Sequence, residues 1–504
     1  MEQQILSFPV LLSFFLFIFM VLKIRKKYNK NISPPPGPWK LPILGNIHQL
    51  ISPLPHHRLR DLAKIYGPVM SIKLGEVSAV VISSAEAAKE VLRTQDVSFA
   101  DRPLGLSAKM VLYNGNDVVF GSYGEQWRQL RKICILELLS AKRVQSFKSL
   151  REAEVSNFIR FLYSKAGKPV NLTRKLFALT NTIMARTSVG KQCENQEVLL
   201  TVIDRIFEVS GGFTVADVFP SFTLLHLITG IKSRLERLHQ DTDQILEDII
   251  NEHRACKAVS KNGDQNEADN LLDVLLDLQE DGNLRVPLTN DSIKGTILDM
   301  FAGGSDTTSK TAEWAVSELM FNPKAMKKAQ EEVRRVFGQK GIVDESGFHE
   351  LKFLKLVIKE TLRLHPALPL IPRECMNKSK INGYNIDPKT KVLINVWAIG
   401  RDSNIWPEAE KFYPERFLDS SIDYKGTSYE FIPFGAGKRI CPGMMLGTTN
   451  LELFLAQLLY HFDWQFPDGA TPEIFDMTEA FSGSINRKYD LNLIPIPFHP
   501  LRVE

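Results

Sequence analysis

The residue type best placed for chemistry is Cys441, within Phe434-Gly-Ala-Gly-Lys-Arg-Ile-Cys441-Pro-Gly443. Gly435 and Gly437 permit tight backbone conformations closed to residues that carry a side chain. Pro442 suits the first position of a helix whose apolar body runs on through Leu446, Leu451 and Leu455. That register puts Cys441 at a helix N-terminus, where free N–H groups and the dipole favour a thiolate. Lys438 and Arg439 add positive charge suited to an anionic ligand group. A single buried cysteine is usually an inert small hydrophobe, so its surroundings must carry the argument. The run is not a Walker loop, since no Gly lies five residues before Gly437 and Arg follows Lys438. Nor is it the dinucleotide fingerprint, because its Gly-x-Gly lacks the third Gly.

Three more groups have telling spacings. Glu360-Thr-Leu-Arg363 sits on a predicted helix with one apolar stripe of Leu351, Leu354, Ile358 and Leu362, while Phe353 and Leu356 share a face with the charged pair. Exposed, such a pair is worth tenths of a kcal/mol; buried, a charge must be paired. Ala302-Gly-Gly-Ser-Asp-Thr-Thr308 lies mid-way along a helix predicted from about Asn290 to Met320, which stops at Asn322-Pro323. Gly costs about 1 kcal/mol relative to Ala inside a helix, and Ser, Asp and Thr compete for backbone hydrogen bonds. The stretch is expected to loosen the ladder and leave a groove lined with hydroxyls; a kink against a neighbouring helix is the plainer reading. Trp127 and Arg131 lie one turn apart and could face one partner, with Pro372-Arg373 further on, although an amphipathic surface gives the same pattern.

Together these runs resemble cytochrome P450s. Phe434, Gly435, Gly437, Arg439, Cys441 and Gly443 fall on the positions of that family's haem-thiolate signature. The resemblance implies haem b (iron protoporphyrin IX) with Cys441 as axial iron ligand, and Phe434, Gly435 and Gly443 in the cofactor-binding loop. Trp127, Arg131, Arg373 and Arg439 would hold the propionates through charge-assisted hydrogen bonds. Glu360-x-x-Arg363 resembles the family's Glu-x-x-Arg motif, completed by Arg416 of Pro414-Glu-Arg-Phe417, with a structural role. The glycine-rich stretch resembles the oxygen-binding groove: Gly303 and Gly304 would give room above the iron, and Asp306 and Thr307 would be the acid–alcohol pair relaying protons. The segments that line the family's pocket supply Leu104, Val111, Leu112, Phe301, Ala302, Leu368, Leu370, Ile371 and Phe481 here. None is a cation or a carboxylate, which excludes charged substrates better than it selects a neutral one.

These groups need a scaffold. Helical patterns dominate from about residue 84 to 365; Val69–Leu74 and Ala79–Ser83 read as a hairpin, and Lys391–Trp397 as a strand. The polar stretch Lys257–Asp269 reads as a surface loop between helices. The fold class expected is mainly α with small β-sheets, resembling the cytochrome P450 fold behind an N-terminal single-pass transmembrane anchor. Ile5–Leu22 is an uncharged stretch just long enough to span a bilayer. No small-residue cleavage site follows it, and Lys23, Arg25, Lys26, Lys27 and Lys30 on its C-terminal flank point to a cytoplasmic body. Residues 1–30 are thus an expected membrane anchor and basic flank, 31–38 a Pro-rich hinge, and 39–504 the catalytic domain.

Composition agrees. Of 504 residues, 62 are Lys or Arg against 58 Asp or Glu, and a net +4 is too weak to argue for nucleic acid. Five cysteines without a Cys-x-x-Cys pair speak against a disulfide framework and fit a reducing compartment.

The resemblance is to plant microsomal cytochrome P450s of the endoplasmic reticulum membrane, and more finely to the spurge-family branch that oxidises casbene-type diterpenes. It implies a monooxygenase that inserts oxygen from O2 into C–H bonds of a small hydrophobic substrate. No flavin or nicotinamide fingerprint is visible, so electrons from NADPH are expected through NADPH–cytochrome P450 reductase, with the lipid bilayer as second partner. The alternatives are a cytochrome P450 acting on another terpenoid or a phenolic, a haem-thiolate isomerase or dehydratase that needs no NADPH, and a non-catalytic haem carrier. An intact Asp306-Thr307 pair argues against the isomerase or dehydratase, and a carrier would need no oxygen groove.

Overall fold

The computed structural model describes residues 34–190, 205–206, 214–222, 226, 228–260, 270–469 and 471–499. The expected anchor, the first part of the hinge and most of the polar stretch before Asn270 lie outside these residues. Among the described residues, no helix is long and apolar enough to cross a membrane.

The helix Asn290–Phe321 runs through the centre. A capping box opens it, with Thr289 and Ser292 each bonding the other's backbone N–H, and Pro323 begins the next helix. It packs against Leu172–Val189 and Met444–His461. The main core joins Ile183, Leu319, Leu354, Ile358, Leu362, Phe454 and Leu458 from these helices and from Lys352–Leu364. A second cluster holds Leu130, Ile133, Leu272, Leu275, Ile293 and Ile297.

The sheets are small, as expected. In the largest, Val77–Ile82 pairs antiparallel with Val69–Leu74 and parallel with Lys391–Asn395, whose other side takes Leu370–Glu374. The hairpin turns on Gly75, at φ +59°, so its second strand starts two residues earlier than the sequence suggests. The strand expected to reach Trp397 stops at Asn395, whose side chain caps the helical turn Val396–Ile399. The helix Ile231–Ser260 takes in the first four residues of the expected surface loop, Lys257 to Ser260.

The structure also changes the reading of the central helix. The helix Asn290–Phe321 is unbroken through Ala302–Thr308, with no kink and no loosened turn. Thr307 and Thr311 return their hydroxyls to the carbonyls of Gly303 and Thr307, at 2.7 and 2.8 Å, and so satisfy themselves within the helix without breaking it.

Candidate functional site

Gly435 and Gly437 both sit in the left-handed region, at φ +70° and +71°, as the sequence requires. A Cβ on Gly437 would lie 2.2 Å from the Leu92 carbonyl oxygen, so only glycine fits this close approach. Cys441 N–H donates to the Phe434 carbonyl at 2.9 Å, which folds the run into a closed loop. The helix that follows begins at Met444, so Pro442 precedes it and Cys441 stands three residues before its first turn. The thiol is half-buried. Burial raises its pKa, while the Gly443 N–H, Arg131 and Arg102 pull it the other way.

Four guanidinium groups converge on this loop. Arg131 Nη2 donates to the Ile440 carbonyl at 2.5 Å; Arg439 donates from Nε to Ala100 at 2.7 Å and from Nη2 to Gly121. Arg373 reaches only its neighbour Pro372, at 2.9 Å, and its Nη2 is buried without a partner, as is Nε of Arg102. Burial and mutual repulsion push Arg373 well below the usual guanidinium range and Arg439 down to about 9. Four acids lie close, Asp299 and Asp117 beside Arg102, Asp96 beside Arg373 and Asp101 beside Arg439, and all four accept from backbone N–H groups. Asp299 Oδ2 accepts from Val118 and Val119 N–H at 2.8 Å each, and Asp117 Oδ1 accepts from Phe120 and Gly121. Among the described residues, none of these acids hydrogen-bonds a guanidinium of the cluster, whose bonds go to backbone carbonyls. Sequence reading missed Arg102, Asp117 and Asp299, because no local motif marks residues that meet only in three dimensions.

Trp127 stands in the same group. Its indole N–H donates to the Val118 carbonyl at 2.9 Å, and its ring carries Arg439 at 4.0 Å and Arg131 at 5.4 Å. It is a platform for the cations.

On the central helix, a Cβ on Gly303 would meet nothing within 4 Å, whereas one on Gly304 would strike Met184 Sδ at 2.5 Å. Gly303 leaves open space; Gly304 serves the packing against Leu172–Val189. Asp306 and Thr307 make separate bonds, Thr307 to the Gly303 carbonyl. The Asp306 carboxylate is buried against Lys310 Nζ at 2.5 Å and Ser484 Oγ at 2.9 Å, neither of which the sequence singled out. The i,i+4 spacing of Asp306 and Lys310 was a usable signal; Ser484 gave none.

Leu104, Val111, Leu112, Phe301 and Ala302 belong to one hydrophobic cluster with Leu446, which lies in the helix that follows the cysteine loop. Ile371 faces that loop as well: its Cδ1 lies 3.5 Å from where a Cβ of Gly435 would be. Adjacent strand residues alternate, so Leu370 turns away to join Leu59 and Met70. Leu368 is 38 % exposed, and Phe481 is half-buried.

Glu360 and Arg363 form a closed group. Arg363 spends all five N–H donors on Glu360, Gly400, Ala409 and Lys411, and Arg416 Nε adds a bond to Glu360 Oε1 at 2.8 Å. Both residues are essentially unexposed.

A half-buried thiol, unpaired guanidiniums and open space at Gly303 and Gly443 fit a flat, dianionic, iron-bearing ring such as haem. The family comparisons agree. Residues 34–493 match the cytochrome P450 family model. Cytochrome P450 726A27 of Euphorbia lathyris is 65% identical over 500 residues, covering 99% of both chains. Premnaspirodiene oxygenase of Hyoscyamus muticus is 49% identical (99% of this chain, 100% of that one), and salviol synthase of Salvia pomifera 47% (98% of each). A zebra fish cytochrome P450 structure with progesterone superposes with a TM-score of 0.75 at 25% identity, over 88% of this chain and 99% of that one. The chain belongs to the cytochrome P450 family: it is a plant monooxygenase that uses haem with O2 and NADPH-derived electrons.

Proposed function

We propose that this monooxygenase hydroxylates a neutral macrocyclic diterpene of the casbene type at allylic ring carbons, with further oxidation to a ketone. The observation that carries this reading is that Leu104, Val111, Leu112, Phe301 and Ala302, which the family resemblance places in the pocket, belong to one apolar cluster that also takes in Leu446 of the helix after Cys441. An ionised substrate there would be desolvated without a partner. The relatives named premnaspirodiene oxygenase, salviol synthase and 5-epiaristolochene 1,3-dihydroxylase support terpenoid oxidation, and the 65% identical relative comes from a spurge.

Cys441 would hold the haem iron, and Trp127, Arg131, Arg373 and Arg439, with Arg102 beside them, its propionates, which would give the buried donors of Arg373 and Arg102 partners. Haem bound by a thiolate supplies O2 activation, the thiolate pushing electron density that favours O–O cleavage, as is general for cytochrome P450s. The protein orients the C–H bond through the apolar cluster and manages protons. Thr307 Oγ1 donates its own proton to Gly303 O and so keeps its lone pairs free to accept one from the pocket side. Asp306 must leave Lys310 or Ser484 before it can pass a proton toward Thr307.

Electrons would arrive from NADPH–cytochrome P450 reductase on the thiolate side, where Arg128, Lys132 and Lys438 are exposed cations suited to an acidic partner. The setting is the endoplasmic reticulum membrane, with residues 1–30 as the anchor. Exposed Trp39, Ile43, Ile51 and Ile65, just beyond the hinge, suit contact with lipid.

Co-expression with a casbene-producing synthase and a reductase tests the substrate. Hydroxylated casbene that depends on NADPH is the expected result. Casbene returned untouched while a flavonoid, fatty acid or smaller terpene is converted would leave only the monooxygenase class. Conversion without NADPH would favour the isomerase or dehydratase reading.

A further inference from the structure

Away from the cysteine loop, a dense cluster of titratable groups gathers on one carboxylate. Glu479 begins the strand Glu479–Phe481, which pairs with Ile485–Arg487. Its Oε2 accepts from His57 Nε2 at 3.0 Å and from His56 Nε2 at 3.4 Å; its Oε1 accepts from His365 Nδ1 at 3.2 Å and Trp397 Nε1 at 3.4 Å. Arg401 Nη2 stands 3.9 Å from the same Oε1. His365 turns its other nitrogen to Glu318 at 2.7 Å and stacks flat on Trp314. Burial opposes a charge on Glu479, but hydrogen bonds from His365, His56 and His57 overcome it and hold the carboxyl far below its usual range. His56, His57 and Glu479 have the ligand types of a zinc site, yet the guanidinium of Arg401 already supplies the positive charge there.

The position of this clamp is what matters. Strand alternation puts Glu479 and Phe481 on one face. The fully buried His56 imidazole touches both, hydrogen-bonded to the carboxylate and 5.7 Å from the Phe481 ring centroid. The same hairpin then returns through Ser484 to the Asp306 carboxylate.

We propose that Glu479 is a positioning residue for the substrate: through His56 it fixes the Phe481 side chain, and with it the way a large apolar ligand sits in the pocket. The inference rests on the reading of Phe481 as a pocket-lining residue.

The test uses full-length holoenzyme and two iron-binding ligands, imidazole and a bulky triarylmethyl imidazole, titrated by absorption. Glu479→Gln and Phe481→Ala should each weaken the bulky ligand at least fivefold and change imidazole less than twofold, with the carbonyl band intact. The double variant should be no weaker than the weaker single one, because both remove one linkage. Additive effects, equal changes for both ligands, or an unaltered Glu479→Gln would overturn the inference. If Phe481→Ala alone leaves the bulky ligand unaffected, the pocket reading fails and the inference with it. Should Glu479→Gln lose haem, His56→Gln tests the same link from its other end and must show the same ligand selectivity.

Discussion

Two buried clusters of arginine in this protein look alike in sequence and differ in kind. Around Glu360, every donor of Arg363 has an acceptor, and Arg416 closes the group on the same carboxylate and on the carbonyls of Pro407, Glu408 and Lys411. Around Cys441, Arg102 and Arg373 keep buried donors without partners, and the guanidiniums depress one another. A lone buried charge is expensive and persists only where something pays for it. The closed cluster is complete as it stands and holds the protein together. The open one is complete only with an added anion, which is why it marks a cofactor site and the other does not.

Breaking the closed cluster should give the largest effect. Glu360→Ala leaves two guanidiniums unpaired, and denaturant unfolding of the holoenzyme should show a loss of about 3–5 kcal/mol. A loss below about 1 kcal/mol would remove the contrast between the clusters.

A third buried charge sharpens the comparison through pH. Burial raises Glu313 to about 7, against its Thr173 hydrogen bond and nearby Arg487. The folded state then holds its proton longer than the unfolded chain, so stability is full below about pH 4.5 and falls as pH rises toward 7. Glu313→Gln abolishes this term, and its melting profile should gain on the parent across that window by up to about 3 kcal/mol. Parallel profiles would mean that Glu313 is satisfied like Glu360.

Smaller in free energy is the open cluster. Arg373→Met should speed haem loss to a scavenger about tenfold, equivalent to about 1.4 kcal/mol, while leaving the unfolding midpoint of haem-free protein no lower than the parent's, since it removes a repelled buried cation. A midpoint that falls as far as that of Glu360→Ala would make Arg373 a structural residue.

The same contrast explains what could be read in the sequence. Cys441, Gly435 and Gly437 were legible because a tight loop dictates residue types locally, and Glu360 with Arg363 because helical spacing places them together. Arg102 was not, since its partners are brought near only by the chain's return from residues 373 and 439. Ser484 was hidden for the same reason: it meets Asp306 across 178 positions. The loosened central helix was wrongly expected because propensity was weighed alone, whereas most of this helix is buried and held by packing against Leu172–Val189 and Met444–His461. Leu370 and Ile371 could not be separated without knowing which strand face meets the loop, and Gly304 answers to Met184 instead of to the pocket.

The central claim is that Cys441 holds the haem iron through its thiolate. The direct measurement is the absorption spectrum of the reduced, carbon-monoxide-bound protein, taken with parent and Cys441→Ala side by side. The account predicts a red-shifted carbonyl band in the parent that disappears together with activity in Cys441→Ala. A Cys441→Ala protein that kept both band and activity would contradict it and move the ligand elsewhere.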